Sequence, residues 1–151
     1  MKDKIVTADE AIALIRDGDS VCCSGFVGIG TPDELIMALE RRFTGAGEPR
    51  NLTLVFAAAP GDGRDRGLNR LALPGLVKRA IGGHWALLPK LARMATDNLI
   101  EAYNLPLGTM SICIGTSRRI GPARLRRSDW APLSIRVTEA ERSTPARRKT
   151  W

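Results

Sequence analysis

The sequence predicts an α/β protein built on an open, mostly parallel sheet with helices on both faces. Apolar runs with the length of buried strands alternate with stretches whose apolar residues recur at helical spacing. Parallel strands need right-handed crossovers, and the crossover helices cover the sheet. The chain has 151 residues, 44% apolar and 26% charged, which suits one globular domain.

Three helices are predicted from their start signals and apolar spacing. Thr7 and Glu10 have the spacing of a capping box, which opens a helix that ends at Asp17-Gly18. Residues 31–34 form a second capping box, with proline at the first helical position. A third helix is expected over residues 87–96. The predicted buried face of the second helix consists of Leu35, Ile36, Leu39 and Phe43.

Strands are predicted at residues 20–24, 51–57, 76–81 and 100–104. The first is expected to be buried, with Cys22 and Cys23 as small apolar residues. Glycine-rich segments follow three of the strands, at residues 25–30, 61–63 and 82–83. Ligands of parallel sheets bind beyond the carboxyl ends of the strands. We therefore expect these three segments to cluster at one edge and build one site.

The glycine turn at residues 25–30 also admits a nucleotide-binding interpretation. It lies between a strand and a helix, where backbone N–H groups can cradle a phosphate. However, Gly28 and Gly30 are followed by Asp33 where a dinucleotide fingerprint has its third glycine. A nucleotide-binding module is therefore a secondary hypothesis.

Other chemistry-bearing residues favour structural roles. His84 is the only histidine, and the three cysteines lack the number and spacing of a disulfide framework or a zinc site. Asp62 and Asp65 alternate with Arg64 and Arg66, which predicts a solvated turn. No bound metal is expected. No apolar run approaches the ~18 residues of a membrane span, and no secretory signal is recognisable, so the expected location is the cytoplasm.

Four ordered segments resemble family I CoA-transferases, in the acetate/propionate branch. The first joins an acidic-Gly pair, an apolar strand, Gly-Phe and Gly-x-Pro over residues 17–32. The others are Phe56 to Asn69 with its Gly61-Asp62-Gly63, Ile81-Gly82-Gly83-His84-Trp85, and Glu101-Ala102-Tyr103-Asn104-Leu105-Pro106. The resemblance covers roughly residues 3–111. It identifies them as the N-terminal part of an α-like half, in an incomplete sheet of the CoA-transferase/ribose-5-phosphate isomerase-like type.

The resemblance implies transfer of CoA between an acyl-CoA and a short-chain carboxylate such as acetate or propionate. A glutamate nucleophile performs covalent catalysis in this family, and it belongs to a β-like half that this chain lacks. Coenzyme A is then a substrate, and no bound cofactor is expected. The loops implied to face substrate or CoA contain Gly25, Phe26, Gly28, Gly30, Gly61, Gly63, Asn69, His84 and Asn104.

The implied partner is the β-like half, in the same polypeptide or in a separate subunit. An incomplete sheet also leaves an unpaired edge, so self-association into a homo-oligomer is expected. The chain alone is expected to be inactive. Three departures from the branch remove polar groups from loops expected to face the site. They are Ala59-Pro60 in place of Gly-Gln, Arg70 in place of His, and Leu107 in place of Gln.

The basic charge lies entirely in the last forty residues. Residues 1–111 hold 13 Lys+Arg and 13 Asp+Glu, whereas residues 112–151 hold 10 and 3. One interpretation is a disordered basic arm of a small nucleic-acid-binding protein. The other is that residues 112–151 are non-native text produced by a frameshift.

The frameshift interpretation can be tested on the sequence itself. With permitted codons, a shift of one base near the codon of Ser111 turns residues 112–119 into His-Leu-Tyr-Arg-Asp-Ile-Ala-Ala, which suits a helix. The same shift across residues 126–137 gives Lys-Val-Gly-Leu-Gly-Thr-Phe-Val-Asp-Pro-Arg, which resembles a later motif of the same branch. The hypothesis is therefore a lost base that leaves a truncated α-like fragment.

Overall fold

Residues 5–117 form an open sheet of four parallel strands that lie side by side in chain order. The computed structural model describes residues 5–117. The strands are β1 (Ser20–Cys22), β2 (Leu52–Phe56), β3 (Val77–Gly82) and β4 (Glu101–Asn104). The helices are α1 (Ala8–Ile12), α2 (Asp33–Ala46), α3 (Pro89–Thr96) and α4 (Leu107–Ser117), with a 3₁₀ turn at Leu68–Leu71. The predicted α/β class is confirmed.

Helices cover both faces of the sheet, and β2 is therefore buried on both sides. Leu54 and Phe56 are fully buried in the main core, which also contains apolar residues of α1, α2 and α3. Val55 points the other way and packs with Leu105 and Met110, which brings α4 onto the second face. Alternate residues of a strand face opposite sides, so this one strand joins the two cores.

The predicted capping box of α1 is present. The Thr7 backbone N–H donates to Glu10 Oε2 at 2.8 Å, and the Glu10 backbone N–H donates to Thr7 Oγ1 at 3.3 Å. The hydrogen bonds from Thr7 lower the pKa of the Glu10 carboxyl. Arg42 of α2 donates to the carbonyls of Ile12 and Ile15, at 2.7 and 2.8 Å. These bonds hold the end of α1 and the residues that follow it against α2.

The second capping box, predicted over residues 31–34, does not form. The Thr31 hydroxyl donates to the carbonyl of Val27 at 3.1 Å instead of accepting from the helix. The helix begins only at Asp33, with no side-chain cap. The preceding turn has therefore taken the hydroxyl that the cap would need. The predicted buried face also needs correction, because Leu35 is 38% exposed.

The prediction that the first strand is buried is wrong. Ser20 and Cys22 are exposed, and Val21 is half-buried. The reason is topological, since among residues 5–117 β1 is an edge strand that pairs only with β2. Cys22 shares a row of the sheet with Val55, on the side away from the main core. Cys23, just after the strand, does enter the core.

Helix α4 crosses the predicted boundary between residues 111 and 112. Met110 and Cys113, one turn apart, are buried, while Ile112 between them is 67% exposed. A helical segment therefore spans the proposed point of change. Residues 118–151, which hold most of the predicted basic tail, lie outside the described residues. No helix within residues 5–117 is long and apolar enough to cross a membrane.

Replacement of Leu54 by Ala tests the central position of β2. The side chain is fully buried, so its loss is expected to lower the free energy of unfolding by about 2–5 kcal/mol in urea titrations. Leu14→Ala is the matched control. Leu14 is 78% exposed, and its replacement should change stability by no more than about 0.5 kcal/mol. Equal losses for the two variants would contradict the assignment of the core.

The cysteines provide a second test, of the edge position of β1. Burial raises the pKa of the Cys23 thiol to about 12, with further contributions from Cys22 and Asp33. Cys22 is exposed, whereas Cys23 and Cys113 are buried. Maleimide at pH 7.5 should therefore label Cys22 first, as peptide mass spectrometry would show. Cys22→Ser should remove the fast label, and fast labelling of Cys23 would contradict the structure.

Candidate functional site

The glycine turn after β1 is bound to the segment that follows β2. The backbone N–H of Val27 donates to the carbonyl of Ala59 at 3.1 Å. The ring of Phe26 lies against His84, with centroids 6.3 Å apart. His84 follows β3, so segments after three strands meet here. The turn at residues 25–30 thus lies at the carboxyl edge of the sheet, where the sequence predicts the site.

The segment after β2 is also bound to the segment after β3. The Gly63 backbone N–H and the Asn69 side-chain amide both donate to the carbonyl of Leu87, each at 3.0 Å. The Asn69 side-chain oxygen accepts from the Lys90 backbone N–H at 3.3 Å. The three segments that we call the edge loops, residues 25–31, 57–69 and 82–88, therefore form one connected structure.

Asn69 lies inside the protein. It is 1% exposed, and its amide also donates to the carbonyl of Arg66 at 3.2 Å. All of these contacts are with backbone groups of the edge loops and the start of α3. The side chain therefore holds two loops together, and the substrate-facing role that the resemblance implies for it stays a prediction.

Five glycines of the edge loops are required by close approach, namely Gly25, Gly61, Gly67, Gly82 and Gly83. A Cβ on Gly25, whose φ is +117°, would lie 2.5 Å from Thr31 Oγ1. A Cβ on Gly61 would lie 2.6 Å from Leu88 Cδ2 and 2.7 Å from the Leu87 carbonyl oxygen. Gly28, in contrast, has open space around it. Close packing of the edge loops therefore requires glycine at positions such as 25 and 61, but it does not explain the glycine at position 28.

The turn after β1 presents apolar side chains to solvent. Phe26 and Ile29 exchange two backbone hydrogen bonds of 3.0 Å, and Val27 between them has a φ of 57°. Such a conformation is a genuine outlier for a β-branched residue and costs about 1–3 kcal/mol. Phe26, Val27 and Ile29 are 52%, 41% and 82% exposed. This apolar turn is a candidate binding surface, and sequence reasoning missed Val27 and Ile29.

The remaining predicted residues lie at the same edge. Trp85 donates from Nε1 to the carbonyl of Gly82 at 3.3 Å and packs edge-on against Phe56 at 5.3 Å, so it is a structural anchor. This anchor leaves the neighbouring His84 half-buried beside the apolar turn. Asn104 is exposed at the end of β4, in register with Gly82.

The three departures from the family pattern have different surroundings. Ala59 and Pro60 are buried. Arg70 faces α2, where its Nη1 lies 2.9 Å from the Glu40 carboxylate. Leu107 is 45% exposed and packs near Gly83. The expectation that all three face the site is therefore wrong for Arg70, because Glu40 draws its side chain towards the helix.

The acidic residues of the second edge loop, residues 57–69, already have partners within the protein. Asp62 accepts hydrogen bonds from the backbone N–H groups of Arg64, Asp65 and Arg66, each at 2.9 Å. These bonds lower the pKa of the Asp62 carboxyl. Asp65 pairs with Lys90 at 2.7 Å. Within the described part of the chain, no three His, Cys, Asp or Glu side chains converge on a point that could hold a metal ion.

Asn69→Ala tests whether the buried amide joins the edge loops. The change leaves the Lys90 backbone N–H without its partner and removes one of the two donors to the Leu87 carbonyl. This loss should cost about 1–3 kcal/mol in urea unfolding. Asn104→Ala, at an exposed position, should stay within about 0.5 kcal/mol of the parent. If the two variants lose the same stability, Asn69 does not have this role.

Comparisons with known proteins extend over the same elements. A family model described as Coenzyme A transferase matches residues 5–125. Acetate CoA-transferase YdiF of Escherichia coli K12 is 38% identical over 108 residues, which are 71% of this chain and 20% of that protein. Acetate CoA-transferase subunit alpha of the same strain is 33% identical over 110 residues, 73% of this chain and 47% of the subunit.

A solved structure agrees with the sequence relatives. The crystal structure of the acyl-CoA transferase YdiF apoenzyme from Escherichia coli O157:H7 matches with a TM-score of 0.73 and 35% identity. The match covers 76% of this chain and 22% of that one. The chain therefore spans about a fifth of the YdiF protein and under half of the alpha subunit. By the family match and the shared fold, this chain belongs to the coenzyme A transferase family.

Proposed function

We propose that this chain supplies the N-terminal part of the α-like half of an enzyme that transfers CoA between an acyl-CoA and a short-chain carboxylate. The observation that carries the proposal is that hydrogen bonds connect the edge loops into one structure at the carboxyl edge of the sheet. These loops lie within the segment that the family model matches. Two relatives are named acetate CoA-transferases, which supports acetate or propionate as the acid.

The proposed chemistry is covalent catalysis by a carboxylate. A glutamate oxygen attacks the thioester carbonyl, the C–S bond breaks, and an acyl–glutamyl anhydride and CoA thiolate form. The thiolate attacks the glutamyl carbonyl and releases the first carboxylate. The acceptor carboxylate attacks the resulting glutamyl–CoA thioester, whose C–S bond breaks to give a new acyl–glutamyl anhydride and CoA thiolate. The thiolate then attacks the acyl carbonyl of this anhydride, which forms the new acyl-CoA and releases the glutamate carboxylate. Preorganised N–H donors must stabilise each tetrahedral oxyanion.

The glutamate nucleophile is proposed to come from the β-like half. The glutamates within residues 5–117 are Glu10, Glu34, Glu40, Glu48 and Glu101. None of these described residues lies in an edge loop. Glu10 caps α1, Glu40 pairs with Arg70 and Glu101 pairs with Arg79 at 2.6 Å. This distribution supports an α-like half that contributes walls to the site while another segment contributes the reacting carboxylate.

The contribution proposed for this chain is an acyl-binding wall. The apolar turn of Phe26, Val27 and Ile29 projects from the carboxyl edge beside His84. Apolar side chains exclude water from a thioester and from an anhydride, both of which hydrolyse. The β-like half would cover this surface, in the same polypeptide or as a separate subunit. We place the assembled enzyme in the cytoplasm.

Residues 112–151 are proposed to be the product of out-of-frame translation after the loss of one base near the codon of Ser111. They contain 10 basic and 3 acidic residues, whereas residues 1–111 contain equal numbers of both. The nucleotide sequence tests this directly, since one added base must restore the later family motif. A nucleic-acid-binding arm, which the same charge also suits, would instead give DNA affinity that falls with salt and disappears when residues 112–151 are deleted.

A hybrid enzyme tests the proposed function. Residues 5–111 replace the matching stretch of Escherichia coli YdiF, and the exchange of labelled acetate with acetyl-CoA is measured. The hybrid should exchange acetate within about 100-fold of the parent, a loss of at most about 2.7 kcal/mol in the barrier. The full 151-residue chain alone should show no exchange.

Two controls make the result decisive. YdiF without its own N-terminal stretch gives the background rate, and circular dichroism shows whether the hybrid is folded. A folded hybrid that exchanges no faster than this background would contradict the proposed function, as would exchange by the pure chain.

A further inference from the structure

We propose that Arg64 and Arg66, in the loop of residues 62–66, bind phosphate groups of the CoA nucleotide. The inference rests on the proposed function and assigns part of the CoA substrate to this chain. The sequence pattern, in which acids alternate with arginines, predicts a solvated turn. In the structure the carboxylates of this turn form no ion pair with its guanidinium groups.

Both acids of the loop are engaged elsewhere. The carboxylate of Asp62 turns back onto its own loop and accepts the backbone N–H groups of the next residues, at 2.9 Å. Asp65 lies 2.7 Å from the ammonium group of Lys90. Neither carboxylate contacts a guanidinium group. The acids therefore organise and anchor the loop but do not neutralise its arginines.

Neither arginine side chain has an anionic partner among the described residues, so both can bind an external anion. Both are exposed, and within residues 5–117 neither takes part in an ion pair or a side-chain hydrogen bond. Other arginines of the fold are engaged with carboxylates or carbonyls, namely Arg41, Arg42, Arg50, Arg70, Arg79 and Arg93. A pair of planar guanidinium forks matches the geometry of phosphate oxygens.

The loop is also held in place before a ligand arrives. Gly61 and Gly67 form an isolated antiparallel bridge across its base. Gly63 donates to the carbonyl of Leu87 at 3.0 Å, and the Leu68 backbone N–H donates to that of Pro60 at 2.9 Å. A loop whose backbone is already fixed loses little conformational entropy on binding.

The loop begins where the apolar turn is attached. Ala59, which accepts the hydrogen bond from Val27, is three residues before Asp62. One continuous segment therefore connects an apolar surface with a cationic one. CoA has the matching arrangement, with its acyl thioester at one end and its pyrophosphate and 3′-phosphate at the other.

Calorimetric titration of the full chain with CoA tests the inference. Arg64→Ala/Arg66→Ala should weaken CoA binding about tenfold or more. The charge-matched control is Arg16→Ala/Lys78→Ala, which removes two exposed cations at the amino edge of the sheet. Neither of them has an ion pair among the described residues. This control should bind CoA within about twofold of the parent. Dephospho-CoA then shows whether the 3′-phosphate or the pyrophosphate is bound.

Each remaining outcome overturns the inference. Unchanged affinity in Arg64→Ala/Arg66→Ala would show that the arginines face something other than CoA, such as the β-like half. Equal losses in both double variants would show general attraction by net charge. The absence of CoA binding by the parent at 5 mM (roughly the weakest affinity that matters here) would also reject it. Acetate exchange by the hybrid enzyme would still support the proposed function in these cases.

Discussion

The double-sided burial of β2 is the constraint on which the rest of the structure depends. Leu54 and Phe56 fill one core and Val55 fills the other. A shift of the strand by one residue would exchange these side chains between the two cores and disrupt the packing on both faces. Its parallel neighbours are then fixed in direction and register. Because parallel strands end at the same edge, the segments after them must meet there. The site is thus a consequence of how one central strand is buried.

Much of this architecture follows from local sequence signals. The capping box of α1, the strands over 52–56 and 77–82, and the parallel order are all present in the structure. The expectation that the glycine segments share one edge also holds. These features depend on spacing and burial patterns within short stretches, which a single sequence contains. Parallel crossovers then restrict the arrangement to few alternatives.

The errors come from information that no local pattern holds. Whether β1 lies at an edge depends on which strands neighbour it, so the exposure of Cys22 could not be predicted from its apolar context. The Thr31 hydroxyl could cap the helix or close the turn, and the carbonyl of Val27 decides between them. Asn69 matched a family motif, but its burial between two loops is a tertiary fact. The unbalanced charge of Arg64 and Arg66 likewise depends on where Asp62 and Asp65 point.

The central claim is that the chain shapes a CoA-transferase site without holding its nucleophile. The most direct measurement is peptide mapping by mass spectrometry after the hybrid enzyme has reacted with acetyl-CoA and been quenched in acid. The account predicts a glutamyl–CoA thioester on a peptide from the YdiF portion and unmodified glutamates throughout residues 5–111. A CoA adduct on a glutamate of this chain would contradict it.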